Sequence, residues 1–107
     1  MMNASLVPQT LLNTIVAEFA PQRVILFGSA ARGEAGKNSD LDLLVVLDDD
    51  VPLEKFGAKA VHAARRGYAE PVDIIPCRAS VLRDRARAKG SFAHMILRDG
   101  ITVYERQ

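Results

Sequence analysis

Two aspartates one residue apart, Asp40 and Asp42, stand at the head of an otherwise apolar run, Leu41 to Leu47. On a strand, side chains alternate, so both carboxylates fall on one face with Cα atoms roughly 6.5–7 Å apart. That spacing suits a shared divalent cation, or a pair of cations ~3.5–4 Å apart. Carboxylates on such a strand repel each other and lose hydration, which an exposed strand end or a bound metal ion offsets. A third carboxylate, Asp73, interrupts a second apolar run, Val72-Asp73-Ile74-Ile75. If the two strands are neighbours, Asp73 completes a cluster of three. Hard oxygen donors without a nearby His or Cys cluster favour Mg²⁺, with Mn²⁺ as a second choice, over zinc.

Gly28-Ser29 follows the run Arg23-Val24-Ile25-Leu26-Phe27. Glycine tolerates positive φ and lets a ligand approach the backbone. Ser29 can cap a short helical turn, whose free N–H groups form an anion site fitted to a di- or triphosphate.

Gly28-Ser29, ten intervening residues and Asp40-Leu41-Asp42 resemble the signature of the DNA polymerase β-like nucleotidyltransferase superfamily. The stretch containing Arg32-Gly33 and Ser39-Asp40-Leu41-Asp42-Leu43 is most similar to the minimal nucleotidyltransferases (the MNT family). The resemblance runs from the strand before Gly28 to Thr102-Val103-Tyr104-Glu105. It implies that Asp40, Asp42 and Asp73 bind metal ions, and that Asp73 also helps to deprotonate an acceptor hydroxyl. Gly28, Ser29, Arg32 and Ser39 are implied as nucleotide contacts. Many relatives carry Arg directly after Gly-Ser, where this chain has Ala30; Arg32 is a candidate substitute. The implied activity is transfer of AMP from ATP to a tyrosine hydroxyl of a HEPN-family ribonuclease toxin, which neutralises the toxin. Two other readings stay open: an antitoxin that acts by contact alone, and a stand-alone transferase acting on a small molecule or an RNA end.

The elements that must carry these residues can be read from periodicity. A helix is predicted from about Pro8 to Phe19, with Leu11, Leu12, Ile15, Val16 and Phe19 as its apolar stripe. Strands are predicted at 23–27, 40–47, 71–75 (ended by Pro76) and 101–104. Leu43 to Leu47 is apolar on both faces, as in a central strand. One helix is predicted from Pro52 to about Arg66, with Leu53, Phe56, Ala60, Ala63 and Ala64 inward, then an arginine-rich helix from Ala79 to Lys89 and a helical turn at 92–97. Together these predict an α/β (α+β) fold: a small mixed sheet of about four strands flanked by helices.

At 107 residues, 49% hydrophobic and 25% charged, the chain suits one domain spanning 1–107, with any acceptor-binding half supplied by a partner. No apolar run reaches the ~20 residues that cross a bilayer, and the N-terminus lacks a signal-peptide pattern, so a cytoplasmic location is expected. Cys77 is the single cysteine, which excludes an internal disulfide and a zinc–cysteine cluster. Net charge is +1, but residues 1–53 carry three basic and seven acidic side chains and residues 54–107 carry eleven and six. That is not the pattern of a uniformly basic nucleic-acid binder, and no direct nucleic-acid binding is expected. Asp48-Asp49-Asp50 reads as a solvated loop, and His62 and His94 as structural or surface residues. Arg78, Arg83, Arg85 and Arg87 have two candidate roles, a solvated face or a contact with phosphate or an acidic partner helix.

Overall fold

The structure, a computed structural model, describes residues 6–31 and 40–107. Helix α1 (Gln9–Phe19) starts after Pro8, whose missing N–H costs nothing there. It leads into β1 (Arg23–Phe27), and β2 (Leu41–Leu47) follows. A 3-10 turn (Leu53–Phe56) and α2 (Ala58–Ala64) come next, then β3 (Val72–Arg78), α3 (Ala79–Ala86), α4 (Phe92–Asp99) and β4 (Ile101–Glu105).

The four strands form one sheet in the order β3-β2-β1-β4. β1 pairs antiparallel with both β2 and β4, while β2 and β3 run parallel. The sheet is mixed and flanked by helices, as predicted. α1 and α2 cover one face, where Leu11, Leu12 and Ile15 meet Leu26, Leu43 and Val45. The Thr14 hydroxyl, 2.6 Å from the Ala64 carbonyl oxygen, ties the two helices together. α3 and α4 cover the other face through Leu82 and Ile96, which pack on Ile25, Phe27, Leu44 and Val46. β2 is therefore buried on both sides, which explains its unbroken apolar run. Among the described residues no helix is long and apolar enough to cross a membrane.

Several predicted boundaries move. The helix expected from Pro52 to Arg66 is broken at Gly57, which is extended (φ −92°, ψ 172°) and caps α2. Leu53 consequently faces solvent, 79% exposed, instead of joining the apolar side. β3 does not stop at Pro76 but runs through it to Arg78. Proline is tolerated there because β3 is an edge strand. α3 ends at Ala86, short of Lys89, and a turn with Gly90 at φ +84° leads to α4.

Candidate active site

β1 ends at Gly28, whose φ of +79° lies in the left-handed region that favours glycine. A Cβ built there would overlap Oδ2 of Asp42, so the absent side chain leaves room for that carboxylate. Asp42 sits opposite Phe27 in the antiparallel β1–β2 register and opposite Asp73 in the parallel β2–β3 register. The chain ends meeting at this corner of the sheet are the C-terminal end of β1 and the N-terminal ends of β2 and β3. The Leu41 amide donates to the Pro71 carbonyl at 3.4 Å and closes the β2–β3 ladder just before the two aspartates.

Burial raises the Asp42 carboxyl above its ordinary value. The facing Asp73 raises it further, by charge and by a hydrogen bond, and the charge of Asp40 adds to the effect. Asp40 is exposed and lies just before β2. The structure thus brings Asp42 and Asp73 together and leaves Asp40 exposed just before β2, close enough for its charge to act on Asp42. Among the described residues, no three His, Cys, Asp or Glu side chains form a ready metal cage. A Mg²⁺ ion commonly takes only one or two protein carboxylates and fills its other positions with water and substrate phosphate. The pair of facing hard-oxygen donors fits such an ion.

A cavity of about 330 Å³ opens beside Asp42, lined by Gly28, Ala31 and Asp42 on one side and by Phe92, Met95 and Asp99 of α4 on the other. Phe92 meets Phe27 edge-on, with ring centroids 5.5 Å apart and planes at 83°. α4 is held there at both ends. At its start the Ser91 hydroxyl accepts from the His94 amide at 3.1 Å and donates to the Arg85 carbonyl at 2.9 Å. At its end Gly100 lies so close to β1 that an added Cβ would come 2.6 Å from Ile25 Cγ2.

Of the other predicted contacts, Ser29 opens the turn after β1. Ala30, in the position of the relatives' arginine, packs against the main core with Ala31. Arg32 and Ser39 lie outside the described residues. Arg78 is not a solvated cation: its guanidinium donates to the Asp49 and Val51 carbonyls, both at 2.7 Å, and stacks 4.4 Å over Phe56. Arg83, Arg85 and Arg87 are exposed. Asp48 and Asp49 are also structural rather than merely solvated. Asp48 pairs with Arg106 at 3.0 Å, and Asp49 accepts from the Ser80 amide at 3.0 Å. His94 holds the Ala86 carbonyl at 3.2 Å, in keeping with a structural role.

Two contributors escape sequence reasoning. Arg65 donates to the carbonyls of Tyr68, Glu70 and Val72 and clamps the segment that delivers Asp73. Its spacing from those carbonyls carries no motif. Phe92 lines the cavity, and its signal, an aromatic residue directly after a capping serine, is too common to mark a site.

Two solved structures share this fold. One is a toxin–antitoxin crystallised with AMP-PNP: 18% identity, TM-score 0.60, covering 94% of this chain and 76% of the other. The other is a Sulfolobus solfataricus protein described as a nucleotidyltransferase: 22% identity, TM-score 0.59, covering 95% and 79%. No curated protein gives a significant sequence match. The nucleotidyltransferase domain family matches residues 9–93, a span that takes in the Gly28 turn, all three aspartates and the strands that carry them. The chain belongs to the nucleotidyltransferase domain family.

Proposed function

We propose that this protein is a divalent-cation-dependent antitoxin that transfers AMP from ATP to a tyrosine hydroxyl of a partner HEPN-family toxin. The observation that carries the reading is the facing of Asp42 and Asp73 beside the open backbone at Gly28. Support for the partner comes from a similar fold in a toxin–antitoxin crystallised with AMP-PNP.

In this reading Asp42 and Asp73 hold Mg²⁺, with Asp40 as a further ligand. When bound, the ion neutralises phosphate charge and orients the attacking and leaving oxygens. Gly28 and Ser29 present backbone N–H groups to the β- and γ-phosphates, and Arg32 and Ser39 add nucleotide contacts. Asp73 takes the proton of the acceptor hydroxyl. The hydroxyl oxygen bonds to the α-phosphorus, the bond from that phosphorus to the bridging oxygen breaks, and pyrophosphate leaves. The 107 residues act as one cytoplasmic domain, and the partner supplies the acceptor.

The test is incubation of the purified chain with the protein encoded by the neighbouring gene, Mg²⁺ and α-labelled ATP. Label should appear on a tyrosine of the partner. Asp73→Asn should slow its appearance by ~10²–10⁴-fold, the usual contribution of a positioned base. An unlabelled partner, or full labelling by Asp73→Asn, refutes the reading.

A further inference from the structure

A second and larger cavity, about 780 Å³, lies between α3, α4 and the outer edge of β3. Its lining is mainly apolar, and three large apolar side chains stand exposed along it: Leu53 at 79%, Phe92 at 58% and Ile75 at 40%. Exposed apolar side chains gathered on one groove mark an interaction site more often than scattered ones do. The break at Gly57 that turns Leu53 outward makes this rim.

We propose that this groove docks an amphipathic helix with acidic flanks, carried by the protein that supplies the acceptor hydroxyl. The inference deepens the function proposed above and rests on it. Three observations select this occupant. Residues 78–89 carry five basic side chains and one acidic, a net charge of +4, and of these Arg78, Asp84 and Arg85 line the groove itself. Arg78 is already committed to carbonyl oxygens, but Arg85 lines the groove, is exposed, and its guanidinium makes no hydrogen bond or ion pair among the described residues. A free guanidinium beside an apolar trough favours leucine-type anchors at helical spacing together with glutamate or aspartate at the flank. The groove is also continuous with the reaction corner. Phe92 lines both cavities. Ile75 follows Asp73 by two residues on the same face of β3, roughly 6.5–7 Å along the strand. A helix seated on Ile75 and Phe92 therefore brings its own neighbouring loop to Asp73.

The probe is a fluorescent helical peptide of about three heptads, with leucines on one face and glutamates on the flanks, beside a twin with lysine flanks. The full chain should bind the glutamate peptide at least ~10-fold more tightly than the twin. Binding should slow alkylation of Cys77, the single cysteine, which lines the groove. Leu53→Asp should weaken binding ~10-fold, and Arg85→Glu should reverse the preference between peptides. Circular dichroism checks that both surface variants fold. Equal affinity for the two peptides, no protection of Cys77, or self-association that Leu53→Asp abolishes (a second copy as occupant) overturns the proposal. The two readings fail separately. AMP transfer to the partner with unchanged kcat/KM in both variants overturns docking alone. Peptide selectivity without any AMP transfer overturns the transferase reading alone.

Discussion

Gly28→Ala isolates the coupling between the backbone of the β1 turn and the carboxylate pair. Gly28 has φ +79°, where a side chain costs on the order of 1–2 kcal/mol. Gly67 has the same φ of +79°, but an added Cβ there meets nothing within 4 Å. Gly67→Ala therefore reports the backbone cost alone, and at roughly 4–8 °C per kcal/mol it should lower Tm measurably while leaving transfer intact. Gly28→Ala carries the same backbone cost and also drives its methyl group into Asp42 Oδ2. The carboxylate must rotate away from Asp73, or the ends of β1 and β2 must part. A misplacement of about 1 Å in a reacting constellation costs ~10²-fold in rate. Calorimetry and single-turnover transfer of labelled AMP, run on both variants, separate the two effects. The expected result is a Tm loss in both and a ~10²-fold rate loss in Gly28→Ala only. Equal transfer rates in the two variants refute the geometric argument.

Asp42→Asn should stabilise the fold while abolishing transfer. Because the folded carboxyl titrates above its ordinary value, the native state keeps a proton that the unfolded chain has released. Stability therefore falls as pH rises through that window, and the cost persists to neutrality. Removing it should gain ~0.2–1 kcal/mol, the scale of a cross-strand charge pair, in urea titrations at pH 7. Mg²⁺ should raise the Tm of the wild type, by ~2.7 kcal/mol of stability at 100 times its Kd, and leave Asp42→Asn unmoved; equal shifts in both would remove the cation from this corner. Arg78→Ala loses two charge-assisted hydrogen bonds and a stacked ring, and should cost ~2 kcal/mol in urea unfolding with the Mg²⁺-induced Tm shift preserved. The Arg106 and Gln22 partners hold Asp48 below the ordinary carboxylate value. Its contribution is complete above that value and vanishes as pH falls through the lowered one, so the stability gap between wild type and Asp48→Asn should close in acid.

The site was more legible than the surface around it. Asp40, Asp42 and Asp73 stand out because a carboxylate in an apolar strand is costly, and the alternation along β2 correctly assigns Asp42 to the face of Leu44 and Val46. The neighbouring of β2 and β3 was a condition in the sequence and is a fact only in the fold, where Asp42 faces Asp73. Tertiary context moved what local pattern could not fix. Pro76 reads as a strand end, yet an edge position tolerates it. Leu53 reads as inward, yet the extended Gly57 turns it to solvent. Arg78 is one arginine among several in sequence, and only the fold shows it tied to Asp49 and Val51.

The parallel pairing of β2 with β3 has a kinetic consequence. Nothing local brings Asp73 to Asp42; the chain must first cross between Leu47 and Val72 through the 3-10 turn and α2. Such pairings close late in folding, because loop entropy is lost before their contacts form. The two charges therefore meet only when this long-range ladder zips, and their repulsion then belongs to the folding barrier. A cation that bridges them acts at that moment, so refolding in Mg²⁺ should outpace refolding in a chelator. An ion held by this pair, as the proposed function has it, would also help the chain to finish folding.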